Sequence, residues 1–97
     1  MQQQMSFVVE NGDLSEVFAN LSGDYGVSDV QSFQPEVDVQ FNFRGRIYNI
    51  PSERLTQLVL TIPEGMKSDL LDYAERKCVQ GTGPQIIGEA LPQASVG

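Results

Sequence analysis

The chain has 97 residues, a net charge of −7, one cysteine and no histidine. Ninety-seven residues make one domain with one modest core. The missing histidine removes the Ser-His-Asp and Cys-His nucleophile systems and every His-based zinc site, and a lone Cys78 forms neither an intrachain disulfide nor a thiolate zinc centre.

The charge is unevenly placed. Residues 1–43 carry seven acids (Glu10, Asp13, Glu16, Asp24, Asp29, Glu36, Asp38) and no Lys or Arg, whereas residues 44–97 carry six of each sign. An acidic half of this kind has no basic face for phosphate contacts, so direct nucleic-acid binding through it is not expected. No basic-then-apolar leader and no apolar run of about 20 residues is present, so neither a secretory signal nor a membrane span is read, and a cytoplasmic or virion-associated setting is expected.

In chain order, residues 1–6 read as a Gln-rich leader arm, and Phe7-Val8-Val9 as a first strand or a docked arm before the turn Glu10-Asn11-Gly12. A short helix is expected over about 13–22. Asp13 and Glu16 stand at capping-box spacing, Leu14, Val17, Phe18 and Leu21 share one helical face, and Gly23 suits the left-handed residue that ends a helix. Residues 22–35 are turn-rich, with Val27, Val30 and Phe33 as anchors.

The clearest strand signal follows. Val37, Val39, Phe41 and Phe43 alternate with Asp38, Gln40, Asn42 and Arg44, and Arg46–Ile50 returns after Gly45, giving a central hairpin over about 37–50. A loop of Arg44-Gly45 pairs Phe43 with Arg46 and Phe41 with Tyr48; a loop of Gly45-Arg46 pairs Phe43 with Tyr48 and Phe41 with Ile50. Both keep the aromatics on one face, whereas a three-residue loop sets Phe41 against Asn49. Residues 52–62 fit a helix or a strand, and the reading adopted is a turn at 52–55 and a strand at about 57–62, favoured by Thr56 and Thr61. The main helix is expected over about 66–79: Met66, Leu70, Ala74 and Cys78 repeat every fourth residue, early Asp69 and Asp72 and late Arg76 and Lys77 complement the helix dipole, and Asp72–Arg76 is an i, i+4 pair. Residues 81–97 read as an extended arm with sparse anchors at Ile86, Ile87, Leu91 and Val96.

These elements define an α+β fold: a small antiparallel sheet packed on one main helix and a short N-terminal one, the domain spanning 7–80 between the arms 1–6 and 81–97. No segment carries recognisable chemistry. Glu36 and Asp38 sit two apart on the polar side of a strand, where charges belong. Gly81-Thr82-Gly83-Pro84 lacks the Lys-Ser/Thr of a phosphate cradle, and Pro84 removes a donor. Cys78 lies on a helix's apolar stripe as an inert thiol. The chain is therefore read as a non-enzyme without cofactor or metal. The expected function is that of a structural or accessory subunit of a larger assembly, such as a minor virion or shell component, its arms held by neighbouring subunits. The alternative is a small acidic inhibitor or immunity-type protein whose acidic half docks on a basic, nucleic-acid-interacting enzyme. Candidate partner contacts are Arg44 and Arg46 at the hairpin tip, the acids Glu36 and Asp38, and Ile86 and Ile87 of the arm.

Overall fold

A computed structural model describes residues 3–87. Strand β1 (Gln4–Glu10) leads through a 3-10 turn (Asn11–Asp13) into helix α1 (Leu14–Tyr25). Then come β2 (Val30–Phe33), β3 (Val39–Phe43), β4 (Arg46–Ile50), a 3-10 turn (Ser52–Arg54), β5 (Leu55–Thr61), helix α2 (Lys67–Lys77) and β6 (Gln85–Ile87). The α+β class expected from the sequence holds. Four strands form an antiparallel sheet in the order β2-β5-β1-β6, and β3 and β4 form a separate two-stranded sheet. With the hairpin set aside, β1-α1-β2-β5-α2-β6 is the split βαβ arrangement of ferredoxin-like domains. The hairpin is an insertion between its second and third strands.

β1 is a central strand, which corrects the leader reading of residues 4–6. Met5, Phe7 and Val9 point into the core and are at most 1% exposed. Ser6, on the opposite face, accepts a hydrogen bond from Gln57 Nε2 of β5 at 2.9 Å. The period-two alternation that makes this strand begins inside the Gln-rich segment. β1 pairs with β5 along its whole length, from Gln4 with Thr61 to Glu10 with Leu55, and its other edge takes β6 at Gln4–Ser6. The arm expected over 81–97 therefore includes a sheet strand at 85–87; residues 88–97, with Leu91 and Val96, lie outside the described residues, as do residues 1 and 2 of the leader.

Helix α1 runs past Gly23, the expected stop, to Tyr25. Tyr25 packs on Tyr73 of α2 with ring centroids 5.0 Å apart, and Gly26, at φ +71°, takes the left-handed turn instead. Val27 N–H then reaches the Leu21 carbonyl at 3.0 Å, and its side chain enters the core. Asp13 occupies the N-cap position of α1 without a side-chain cap bond, so the expected capping box does not form. Glu16 instead accepts from Lys77 Nζ of α2 at 2.6 Å. The helices are thus tied at three points, the third being Asn20 Nδ2 donating to Tyr73 Oη at 3.0 Å.

The stretch read as an anchored loop contains β2, which pairs Val30–Phe33 with Leu60–Gln57 of β5. Val27 is buried, Val30 half-buried and Phe33 exposed, so two of the three expected anchors touch the core. The reading of 52–62 as turn then strand holds, with Leu55, Leu58 and Leu60 buried. Helix α2 buries Leu70, Tyr73 and Ala74 along the expected stripe, and Arg76 reaches Asp72 at 2.7 Å.

The ammonium of Lys77 is held above its ordinary value by its hydrogen bond to Glu16, with burial opposing. A cation whose folded-state pKa is raised contributes stability that is complete below its ordinary value of 10.5 and is lost as pH rises through the folded value. The thermal stability lost in K77Q is therefore expected to be constant from neutral pH to about 10 and to vanish in more alkaline solution, as followed by the difference in unfolding midpoint from wild type across a pH series.

Candidate functional site

The hairpin is the element that the core does not explain. Its loop is Arg44-Gly45, the first of the two admissible registers, with Phe43 opposite Arg46, Phe41 opposite Tyr48 and Val39 opposite Ile50. Arg44 (φ +54°) and Gly45 (φ +80°) both have positive φ, as a type I′ turn requires, and Asn42 Oδ1 accepts from Gly45 N–H at 3.2 Å. Phe41 and Tyr48 stack at 5.3 Å between centroids, and the Arg44 guanidinium lies 5.2 Å from the centre of the Phe43 ring.

At its root the hairpin is fastened by Asp38. One carboxylate oxygen accepts from Ser52 N–H at 2.8 Å and the other from Asn49 Nδ2 at 3.2 Å. Gln34 Nε2 donates to Ser52 Oγ at 3.3 Å. Farther up, Val39–Phe41 lies against Gly81 in the loop that joins α2 to β6. A Cβ built on Gly81 would stand 2.8 Å from Phe41 Cβ and 3.2 Å from the Gln40 carbonyl oxygen. Above that contact the large side chains stand exposed. Phe43 is 44% exposed, Tyr48 41% and Ile47 73%, and the segment leading into the hairpin leaves Phe33 at 51% and Val37 at 72%. A solvated polar face and a covered apolar one were expected for this strand pair; only the Val39–Phe41 end is covered, because the hairpin leaves the main sheet.

The expected contact residues divide accordingly. Arg44 and Arg46 stand together at the exposed tip. Glu36 is exposed ahead of β3, not on a shared strand face with Asp38, and Asp38 has a structural task at the root. Ile86 packs against the core from β6, and Ile87 is half-buried beside Gln4. The exposed apolar side chains of 33–48 were missed as a surface; the signal was the density of polar residues (Gln40, Asn42, Arg44, Arg46, Asn49) around them, more than a buried pair of strands needs.

Two grooves adjoin these elements. One, of about 400 Å³, is lined by Ser6, Phe7, Val8, Gln57, Gly81, Thr82, Gly83 and Gln85. Its lining offers hydrogen bonds and no charged side chain, so no general acid or base stands in it. The other, of about 220 Å³, lies at the hairpin root among Asn11, Ser32, Phe33, Gln34, Glu53, Leu55 and Thr56. Its walls are joined by Asn11, which donates to the Glu53 carbonyl at 3.0 Å and accepts from Thr56 Oγ1 at 2.6 Å. Cys78 is half-buried at the end of α2, and its thiol faces the Thr82 carbonyl at 3.3 Å. Among the described residues no group of three or more Asp, Glu or Cys is placed to hold a metal ion, and no helix is long and apolar enough to cross a membrane.

Fold and site together define a ferredoxin-like α+β domain with an inserted, outward-facing hairpin. Among solved structures the chain is similar to the divalent cation tolerance protein (Cut A1) from Thermus thermophilus, with a TM-score of 0.62 over 93% of this chain and 85% of that one, at 11% sequence identity. At that identity the likeness carries the fold alone. No family model and no curated protein matches the sequence.

Proposed function

We propose that the protein is a non-enzymatic structural or accessory subunit that docks into a larger protein assembly, and that the hairpin is its docking element. One observation carries this reading. Of the six large hydrophobic side chains exposed among the described residues, five (Phe33, Val37, Phe43, Ile47 and Tyr48) fall in the single segment 33–48. Scattered exposed apolar residues are ordinary, but here they gather on one element, with Phe43 and Tyr48 on one face of the hairpin and Ile47 on the other, amid polar neighbours, as suits a hairpin that a partner encloses. The aromatic and arginine content of the tip is the composition that interface anchors favour.

The triple substitution F43S/I47S/Y48S tests the reading. None of the three side chains belongs to the core cluster, so the domain is expected to keep its unfolding midpoint to within a few degrees, the lost Tyr48–Phe41 stack weakening only the hairpin's own ladder. Native mass spectrometry of complexes isolated from the producing cells is expected to find the wild type bound to protein subunits and the variant alone. Equal recovery of complexes with both proteins overturns the hairpin as the docking element. A wild type bound to a basic, nucleic-acid-interacting enzyme, with the hairpin variant bound equally well, favours instead the inhibitor reading of the acidic half.

A further inference from the structure

The two ends of the hairpin are chemically complementary. The tip carries Phe43, Arg44 and Arg46, two guanidinium groups and an exposed ring. The groove at the root has the exposed ring of Phe33 and buried Leu55 in its lining, with Glu53 on its wall. Glu10 stands directly across the ladder from Leu55, and Asp13 lies two residues beyond Asn11 of the lining. All three acids are exposed. Asp13 stands within Coulombic reach of Lys77 of α2, which leaves Glu10 and Glu53 against Arg54 beside the groove, and the root remains net acidic.

A chain's own tip does not reach its own groove. Phe43 lies four residues along β3 from Val39, roughly 14 Å at the rise of a strand, while Asp38, Ser52 and Gln34 fix the root beside the groove. Folding the tip back would melt the ladder. A second chain meets no such limit. We infer that the Phe43–Arg46 tip of one copy seats in the Phe33–Glu53 groove of a second copy, with Phe43 against Phe33 and the guanidinium groups of Arg44 and Arg46 against Glu10 and Glu53. The choice of partner rests on the assembly reading above and deepens it: the neighbouring subunit is this same chain. Because tip and groove are different surfaces, the contact is head-to-tail, and it closes into a ring or propagates according to the rotation between copies.

Arg44 fits this role better than it fits stability. The first position of a type I′ turn favours Asn, Asp or Gly, and a long side chain held at φ +54° is costly there. The strain places a cation at the outermost point of the hairpin.

Sedimentation equilibrium of the purified full chain tests the inference at low and high salt. The wild type is expected to self-associate at low salt and to weaken as salt screens the contact. R44E/R46E and E10R/E53R are each expected to lose self-association on the order of a hundredfold. Their mixture is expected to recover it, in complexes that contain both variants. A wild type that stays monomeric at low salt overturns the inference, as does a mixture that recovers nothing. F43S/I47S/Y48S separates the two readings: if it dissolves the wild-type oligomer while R44E/R46E leaves it intact, the hairpin stands as docking element and the groove contact falls. If neither variant disturbs the oligomer, both fall.

Discussion

Replacing Met5 with alanine is expected to lower the unfolding free energy by about 2–5 kcal/mol, the usual cost of emptying a fully buried methionine site. Met5 is wholly inaccessible to solvent, sits in the central strand β1 and belongs to the same cluster as Phe7, Leu60 and Leu70. A domain of this size has roughly 5–15 kcal/mol in hand, so the loss is a large share of the total. Gln4, one residue earlier and exposed, is the control: its alanine variant is expected to stay within about 0.5 kcal/mol of wild type. Urea unfolding with unchanged m-values measures both. If Met5→Ala were as silent as Gln4→Ala, residue 5 would belong to a leader and not to the sheet.

That contrast shows where the sequence is legible and where it is not. The hairpin could be narrowed to two registers, of which the structure takes the Arg44-Gly45 loop, because a two-residue turn sets the pairing and the partners are neighbours in the chain. The stripe of α2 was equally plain, since one helix face carries its own periodicity. The first half of β1 and β2 were hidden for a different reason, whereas Phe7-Val8-Val9 was open as a strand or a docked arm. Their partners lie about 50 and 30 residues away in β5, and the segments Gln4–Ser6 and Val30–Phe33 carry little strand signal of their own. Only the ladder with Leu55–Thr61 makes strands of them.

The site follows the same division. Arg44 and Arg46 were placed at the tip by local pairing alone. The groove at the root joins residues 11, 32–34 and 53–56, three segments with no sequence proximity, and no pattern within any one of them foretells it. Asp38 illustrates the converse. Its spacing from Glu36 suggested a pair of carboxylates on one face, yet its oxygens are taken by Ser52 N–H and Asn49, partners 14 and 11 residues on. The alternation of β3 promised a buried face. It was correct about which residues share a side and silent about whether anything covers that side, because coverage depends on where the hairpin stands relative to the main sheet.

The attitude of the hairpin rests on Gly81, and Gly81→Ala is expected to be the most disruptive glycine substitution in the described chain. The residue holds φ +95°, so any side chain there costs about 1–2 kcal/mol in backbone strain alone. The added methyl would also lie 2.8 Å from Phe41 Cβ, closer than such carbons approach, so either the loop or the hairpin must move. The hairpin is the softer of the two: Thr82 is bonded back to the Val79 carbonyl through both its amide and its hydroxyl, and Val79 N–H is bonded to the Val8 carbonyl of β1 at 2.8 Å. Gly65 supplies the comparison, since it shares a left-handed φ of +82° and a Cβ there meets nothing within 4 Å. Gly65→Ala is expected to cost the backbone strain and leave the hairpin alone. Gly81→Ala is expected to cost more and to speed amide exchange selectively at 39–50, as hydrogen exchange with mass analysis would resolve. Equal costs at the two glycines, with unchanged exchange in β3 and β4, would mean that the hairpin does not lean on this loop. If instead the hairpin swings away in Gly81→Ala while its own ladder stays protected, the loop from α2 to β6 is what aims the Arg44–Arg46 tip.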